Sequence, residues 1–241
     1  GMMNCEFLDV ASGRKTETHV PPEIEDIHPT RQQMIFSVLD PIYDGKWDTV
    51  TALDLGCNQG YFGFHLAEKG CKKVIGIEPR EDLINDAEMI KLVKRIDNIS
   101  FEQGDSTIID TVKYGRFDIV LMMGLIYHLE NPIGAIRNAA IMTKNVLLLE
   151  TQISPGISSK IDWGTYHRQK KIEGVFSLID ETQEIKNPLS SITGFALCPS
   201  KDLVFWLLLK LGFSRVELVA VPEDGNEQLL SGKRIMVAAY K

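Results

Sequence analysis

From about residue 50 onward, short apolar runs alternate with longer amphipathic segments. Five apolar runs predict strands, at 50–56, 73–79, 99–105, 117–124 and 145–151. Apolar residues at three- and four-residue spacing predict helices between them, at 61–70, 80–96 and 131–143. Most of the strand runs are apolar on both faces, which is typical of a parallel sheet covered by helices on both sides. The predicted fold is therefore α/β, with a doubly wound, mostly parallel sheet.

Two segments fall outside this alternation. Residues 1–47 are predicted to be a helical extension, whose amphipathic stretch 28–43 either covers the ligand site or packs on the sheet. Residues 152–198 form an insertion after the fifth strand, which is expected to be a lid or substrate wall, with a solvated connector as the alternative. A helix at 200–211 and strands at 214–221 and 234–240 complete a domain that is predicted to span 48–241.

Composition narrows the class of protein. A chain of 241 residues, 44% hydrophobic and 24% charged, can bury its own core. Its net charge of −7 disfavours a broad surface for polyanions. The four cysteines contain no CxxC pair, so neither a zinc site nor a disulfide framework is expected. Without a secretory start or an apolar run of about 20 residues, no membrane association and a cytoplasmic location are predicted.

The turn after the first predicted strand contains several candidate ligand-binding residues. Its sequence over 54–63 is DLGCNQGYFG. Doubly wound sheets bind ligands at the carboxyl ends of their strands. Gly56 and Gly60 would let the backbone turn tightly and approach a ligand, in space that a side chain would fill. Asn58 stands where a dinucleotide fingerprint has its second glycine, so a nicotinamide cofactor is disfavoured.

Residues at the ends of the first three predicted strands indicate the chemical type of the ligand. Asp54 would repel a pyrophosphate but attract an ammonium group, and Glu78 is placed to accept hydrogen bonds from ribose hydroxyls. Asp105 and Ser106 can address an adenine ring. Taken singly, Asp54 or Asp105 can be a helix cap and Glu78 a rim charge. Their joint spacing predicts a nucleoside that carries an amino acid.

With these residues the sequence resembles the class I S-adenosylmethionine-dependent methyltransferases. Their first motif, hydrophobic-x-D-x-G-x-G-x-G, is matched by ALDLGCNQG, with Asn58 replacing the middle glycine. The resemblance covers 48–241 and implies a Rossmann-like methyltransferase fold of seven strands, the last of them, RIMVAAY, antiparallel.

The resemblance also implies a set of cofactor-binding residues. Asp54, Gly56 and Gly60 would surround the methionine portion of S-adenosylmethionine. Glu78 would contact the ribose, and Asp105 with Ser106 would lie near the adenine. The predicted set is completed by four positions beside these motifs or on the fourth strand: Cys57, Asn58, Pro79 and Met123.

Later segments are similar to the tRNA wobble-uridine carboxymethyltransferases, which use carboxy-S-adenosylmethionine. The similarity rests on MGLIYHLENPIGAI, LLLET, CPSKDLVFWLLLKLGF and GKRIMVAAYK. It implies that Tyr127 and Arg234 help bind the extra carboxylate, a role that suits a hydroxyl and a guanidinium. A lysine with the same role in that group has no convincing equivalent in the front end of this chain. Alternatively, Arg234 is a solvated residue on an edge strand and Tyr127 a packing aromatic.

His128 and Tyr127 follow the fourth strand, on the side where a methyl acceptor would bind, and are the candidate catalytic residues, with His128 as a candidate general base. A core or capping histidine is the alternative, and positioning alone can account for much of the rate of methyl transfer. Tyr166, His167 and Arg168 of the insertion are candidates for lining the acceptor pocket. After the fourth strand only Glu130 stands where metal-dependent methyltransferases pair carboxylates, so no metal is predicted.

The sequence thus predicts an S-adenosylmethionine-dependent methyltransferase. Its acidic balance and its lack of an aromatic-basic motif favour a small-molecule acceptor over a nucleic acid. One alternative is a carboxymethyltransferase that acts on tRNA with carboxy-S-adenosylmethionine. The other is a non-catalytic nucleoside-binding module on the same fold. The acceptor and the oligomeric state stay open.

Overall fold

The computed structural model describes residues 7–9, 14–16, 26–157, 159–161, 170–187 and 189–241. Within the front end, β1 (Phe7–Asp9) pairs antiparallel with β2 (Arg14–Thr16), and α1 spans Ile27–Tyr43. The candidate pocket residues Tyr166, His167 and Arg168 lie outside the described residues. No helix in the described ranges combines the length and the apolar character that crossing a membrane requires.

Strands and helices alternate through the first part of the domain, as the hydrophobic pattern predicts. The elements are β3 (Thr51–Leu55), α2 (Tyr61–Glu68), β4 (Lys73–Glu78), α3 (Glu81–Lys94), β5 (Ile99–Gln103), α4 (Thr111–Tyr114), β6 (Phe117–Met123), α5 (Pro132–Met142) and β7 (Thr143–Gln152). Short 3-10 helices occupy Trp47–Thr49 and Ile126–His128.

The second part begins with short strands and returns to the sheet. Its elements are β8 (Lys160–Ile161), β9 (Lys170–Lys171), β10 (Phe176–Asp180), β11 (Phe195–Pro199), α6 (Lys201–Lys210), β12 (Arg215–Leu218), α7 (Glu227–Leu230) and β13 (Arg234–Tyr240). A 3-10 helix at Thr182–Glu184 lies between β10 and β11.

One seven-stranded sheet organises the domain, in the order β12-β13-β7-β6-β3-β4-β5. The β3, β4, β5, β6 and β7 strands run parallel to their neighbours in this group, whereas β13 is antiparallel to both β7 and β12. This topology confirms the predicted fold class, including the antiparallel last strand. The chain order reverses between β3 and β6, which is where open α/β sheets bind ligands.

Helices cover both faces of the sheet, as strands apolar on both faces require. Successive residues of β3 point to opposite sides, so Ala52 joins one apolar cluster while Leu53 and Leu55 join the other. Buried residues of α1, α2 and α3 complete the first cluster, and those of α5 and α6 complete the second. The sheet is therefore a rigid platform whose loops at the carboxyl edge can hold a ligand.

The insertion contains structure that the sequence pattern did not predict. The β10 and β11 strands form an antiparallel pair whose register runs from Phe176 opposite Pro199 to Asp180 opposite Phe195. The loop between them spans 181–194, too long to carry the two-residue turn that marks a hairpin in sequence. This pairing brings residues 189–193 toward the carboxyl edge of the sheet.

Candidate active site

A cavity of about 460 Å³ lies at the carboxyl edge of the sheet, where the strand order reverses. Its walls come from the loops after β3, β4, β5 and β6, from the start of α1, and from residues 189–193 of the insertion. The volume lies within the range of ligand pockets for small molecules and cofactors. Loops of the sheet, the front end and the insertion therefore share one site.

Most of the predicted site residues line this cavity: Gly56, Cys57, Asn58, Glu78, Pro79, Asp105, Ser106, Met123, Tyr127 and His128. Asp54, Gly60 and Arg234 are not among the residues that form its walls. These three residues therefore lie behind the wall of the cavity and not on it.

Glu78 ties the first two loops together. Its carboxylate accepts hydrogen bonds from the backbone N–H of Asn58 at 3.1 Å and of Arg80 at 3.3 Å. Asn58 adopts the left-handed conformation, with φ of 51°, and this brings its N–H toward β4. Burial raises the pKa of Glu78, while the contacts with Arg80 and Asn58 oppose that rise. At 4% exposure Glu78 is a buried acceptor and not a rim charge.

The two motif glycines act differently from one another. A Cβ on Gly60, at φ of 86°, would lie 2.6 Å from two ring carbons of Phe101. Glycine is thus needed there for packing of α2 against the sheet, which corrects the expectation that it leaves room for a ligand. A Cβ on Gly56, at φ of 72°, would lie 2.8 Å from the side chain of Leu125, which itself lines the cavity.

Asp54 lies beneath the first loop and is 1% exposed. Burial raises the pKa of Asp54 to about 7, although a backbone hydrogen bond from Gly63 favours the charged form. Its Oδ2 has no hydrogen-bond partner among the described residues. Gly60 is the N-cap residue of α2, but the hydrogen bond from Gly63 gives the Asp54 side chain a capping contact with the first turn of that helix, in keeping with the alternative that the sequence left open. A cationic ligand group nearby would stabilise the charged carboxylate.

The loop after β5 forms the next part of the cavity wall, on the side of Glu78 that faces away from β3. Asp105 Oδ1 accepts hydrogen bonds from the N–H and the hydroxyl of Thr107, at 2.7 and 2.8 Å. Asp105 therefore fixes its own turn while it lines the cavity. The carbonyl of Ser106 accepts a hydrogen bond from the Asn138 side chain at 3.0 Å, so α5 also holds this loop in place.

His128 is paired with a carboxylate from the insertion. Its Nδ1 lies 3.1 Å from both carboxylate oxygens of Glu181, which also accepts a hydrogen bond from the backbone N–H of Ser191 at 2.6 Å. Burial lowers the pKa of His128, and Glu181 opposes this. A neutral ring that donates from Nδ1 to a carboxylate carries its lone pair on Nε2. This is the arrangement of a general base with an orienting partner.

Behind Tyr127 lies a buried charge network. The Tyr127 hydroxyl accepts a hydrogen bond from Arg234 Nη2 at 2.9 Å, and Arg234 Nη1 lies 3.3 Å from Glu150. Arg31 Nη2 reaches the other oxygen of Glu150 at 2.7 Å. Arg234 is 5% exposed and lies on β13, between two other strands, so the alternative of a solvated residue on an edge strand is wrong.

Several residues in and around the site were not predicted from the sequence, among them the charged residues Arg31, Glu150 and Glu181. Each meets its partner from a distant part of the chain, since Arg31 and Glu150 are 119 residues apart and His128 and Glu181 are 53 apart. The described residues contain no group of three or more His, Cys, Asp or Glu side chains that could hold a metal ion.

Comparison with known proteins identifies the family of the chain. Residues 47–193 match the sequence model of a family described as a methyltransferase domain. This match confirms the predicted resemblance to methyltransferases.

Curated relatives carry the name tRNA U34 carboxymethyltransferase. One from Campylobacter jejuni (strain RM1221) is 30% identical over 152 residues, 61% of this chain and 51% of the relative. Another from Haemophilus influenzae (strain PittGG) is 26% identical over 203 residues, 77% of this chain and 54% of the relative. The chain thus spans about half the length of these relatives.

Solved structures support the fold. The N-terminal domain of EvdMO1, crystallised with SAH bound, has a TM-score of 0.65 at 19% identity and covers 90% of this chain and 82% of its own. Magnesium protoporphyrin IX methyltransferase from Synechocystis, with bound SAH, has a TM-score of 0.58 at 18% identity, with 90% and 86% coverage. Both are similar to this chain in the arrangement of the sheet and its helices.

Proposed function

The chain belongs to the methyltransferase domain family, and we propose that it transfers a methyl group from S-adenosylmethionine to a small molecule held in the cavity at the carboxyl edge of the sheet. The observation that carries this proposal is the buried carboxylate of Glu78, which joins the loops after β3 and β4 at the wall of that cavity. Lone pairs on its oxygens remain for ribose hydroxyls.

The residues present fit S-adenosylmethionine. Glu78 would hold the ribose, and Asp105 with Ser106 would lie along the adenine. Asp54, buried behind the first loop with an unpartnered oxygen, would stabilise the ammonium group of the methionine portion. When bound, the cofactor supplies an activated sulfonium methyl group. The support is the family match together with the SAH and SAM found in structures of similar fold.

On the acceptor side, His128 would remove a proton from the acceptor hydroxyl or amine through Nε2. Glu181 would keep the imidazole in the required tautomer and stabilise its charged form. Glu181 is absent from the cavity walls, so it is a positioning residue. The insertion would therefore complete the acceptor half of the site, in keeping with the expectation of a substrate wall.

Binding of S-adenosylhomocysteine tests the cofactor side. Replacing Glu78 by Ala removes a buried acceptor of charge-assisted hydrogen bonds, which costs about 1.5–3 kcal/mol, or about 10- to 150-fold in affinity. Isothermal titration calorimetry measures this directly. The matched control is Glu217→Ala on the outer strand β12, half-exposed and remote from the cavity. Equal affinities of wild type and Glu78→Ala would contradict the placement.

The acceptor side is tested by kinetics, once a screen of hydroxyl- and amine-bearing compounds has found turnover by release of S-adenosylhomocysteine. His128→Ala should lower kcat by about 10²- to 10⁴-fold and leave cofactor affinity unchanged. Glu181 raises the pKa of His128, so in Glu181→Gln the acid limb of the kcat profile should move to lower pH. An acid limb that stays in place would mean that Glu181 has only a structural role.

A second candidate function is carboxymethyl transfer to the wobble uridine of tRNA with carboxy-S-adenosylmethionine. It is favoured by the 2.9 Å contact between Tyr127 and Arg234 beside the cavity and by the names of the curated relatives. Mass spectrometry of small molecules released from freshly purified protein separates the two candidates. S-adenosylmethionine or its demethylated product favours methyl transfer, whereas the carboxylated cofactor favours carboxymethyl transfer. Tight binding without turnover on any acceptor in a cell extract would instead favour a non-catalytic module.

A further inference from the structure

One loop of the insertion forms part of the cavity wall and has little apolar anchoring. Between β10 and β11 the structure describes residues 181–187 and 189–194, which we call the insertion loop. Its two ends meet where the N–H of Glu181 donates to the carbonyl of Gly194 at 2.8 Å. None of its described residues belongs to the two buried apolar clusters, and both of its isoleucines are exposed. Hydrogen bonds to the rest of the domain therefore have a large part in fixing this loop.

Arg80 joins the insertion loop to the residue proposed to hold the ribose. Its Nη2 donates hydrogen bonds to the carbonyls of Ser190 at 2.7 Å and of Asn187 at 3.2 Å. Its Nη1 lies 3.5 Å from Oε1 of Glu78, the oxygen that also accepts a hydrogen bond from the Arg80 N–H at 3.3 Å. A guanidinium is planar and presents its donors in a fixed geometry. The ion pair with Glu78 therefore directs the other donors of Arg80 toward the loop carbonyls.

Ribose binding and the contacts of Arg80 favour the same state of Glu78. Burial raises the pKa of Glu78, and Arg80 opposes this rise because it stabilises the charged carboxylate. Ribose hydroxyls that donate to the carboxylate would also stabilise its charged form. A charged Glu78 in turn attracts Arg80, which holds the insertion loop. By linkage the effect is reciprocal, so a loop held by Arg80 also favours binding of the ribose.

A second contact of the insertion loop leads to the acceptor side of the cavity. Glu181 accepts a hydrogen bond from the N–H of Ser191 at 2.6 Å, and its carboxylate lies 3.1 Å from Nδ1 of His128. Ser191 follows Ser190, whose carbonyl is bound by Arg80, and both serines form part of the cavity wall. The contact with the cofactor side and the contact with the acceptor side are therefore one residue apart on the same loop.

We propose that Arg80 is a positioning residue that makes the acceptor wall depend on the cofactor. Binding of the ribose to Glu78 strengthens the hold of Arg80 on the insertion loop, and residues 189–193 then form the wall against which the acceptor binds. This inference rests on the proposed function, because it takes Glu78 as the ribose-binding residue. It predicts an order of binding in which the cofactor precedes the acceptor.

Amide hydrogen exchange, measured by mass spectrometry without S-adenosylhomocysteine and at saturation with it, tests this coupling. In wild type, S-adenosylhomocysteine should slow exchange at 189–193 about tenfold or more, the effect of one charge-assisted hydrogen bond. In Arg80→Ala this slowing should nearly disappear, while protection of the loops after β3 and β5 by the ligand stays. A merely structural role of Arg80 would speed exchange at 189–193 equally in both states and leave the ratio of the two rates unchanged.

Two further variants keep the result decisive. Arg116→Ala is the matched control, because Arg116 also donates two hydrogen bonds to a backbone carbonyl, that of Thr143, but lies at the amino end of β6. Its exchange ratio at 189–193 should equal that of wild type. Arg80→Lys keeps the charge beside Glu78 but not the planar fork of donors, so it should give an intermediate ratio, and it serves if Arg80→Ala fails to fold.

The outcomes separate this inference from the proposed function. Equal exchange ratios at 189–193 in wild type and Arg80→Ala would overturn the coupling alone, as would bound S-adenosylhomocysteine that leaves this segment of wild type unprotected. A wild type that does not bind S-adenosylhomocysteine would overturn the proposed function and the coupling together.

Discussion

Replacing Asp54 by Asn should remove a large part of the pH dependence of stability. Asp54 is 1% exposed, and burial raises its pKa from 3.8 to about 7. The unfolded chain therefore loses this proton at lower pH than the folded chain does. Protonation of Asp54 in the folded chain adds to the free energy of unfolding. This contribution is fully present below pH 3.8 and is lost as the pH rises through about 7. Asparagine stays neutral throughout and has no such loss.

The magnitude follows from the difference between the two pKa values. Each unit of pKa corresponds to about 1.36 kcal/mol. For a folded pKa of about 7, Asp54 should lower the free energy of unfolding by about 2–3 kcal/mol between pH 5 and pH 8. Burial also raises the pKa of Glu78, and that contribution acts in the same direction in both proteins. The difference between wild type and Asp54→Asn therefore reports Asp54 together with its repulsion by Glu78.

Urea unfolding of the protein without ligand, at pH 5, 6, 7 and 8, measures this difference. We expect the stability of Asp54→Asn relative to wild type to increase steadily up to pH 7 and then to level off. The control is Asp110→Asn, because the exposed Asp110 side chain caps α4 through two backbone N–H groups and asparagine caps equally well. Parallel pH profiles of the free energy of unfolding for wild type and Asp54→Asn would refute the raised pKa of Asp54. They would also refute the argument that a cationic ligand group stabilises the charged form of Asp54.

Three further outcomes are expected. Gly60→Ala should lower the free energy of unfolding by about 2–5 kcal/mol, from a left-handed backbone and an overpacked contact. Gly45→Ala, also left-handed but in open space, should cost only about 1–2 kcal/mol in the same urea assay. Glu150→Gln should cost about 3–5 kcal/mol, measured as a Tm lower by about 6–20 °C, since two buried arginines lose their counter-ion. Arg80→Ala removes two hydrogen bonds to backbone carbonyls of the insertion, so amide exchange at 189–193 should become faster.

Local sequence was sufficient to predict the sheet. Each strand of the parallel core is a short apolar run, and the crossover helices carry their own periodicity, so both signals are contained within a dozen residues. The strand β13 was predicted from the same pattern, and its antiparallel direction came from the family resemblance. The β10–β11 pair was not found, because its two strands are short, partly exposed and separated by a long loop.

The part of the cavity wall at the first three parallel strands was predictable for the same reason. Gly56, Glu78 and Asp105 lie at the ends of successive strands, and parallel topology brings those ends to one edge. The exact physical role of a residue was less accessible. Glycine is required at position 60 because a side chain there would collide with the ring of Phe101. Phe101 lies on another strand, so the spacing of the motif does not reveal this contact.

The buried charge network behind Tyr127 depends on contacts that the spacing of residues in the sequence cannot encode. Arg31 comes from α1, Glu150 from β7 and Arg234 from β13, and only the folded sheet brings them together. Arg31 and Arg234 both lie outside residues 47–193, the part of the chain that matches the family. The matched part thus supplies most of the cavity wall, while segments before and after it contribute the two arginines of the buried charge network beside it. Substitutions in α1 and β13 can therefore change the charge beside the cavity while the loops after β3, β4 and β5 stay the same.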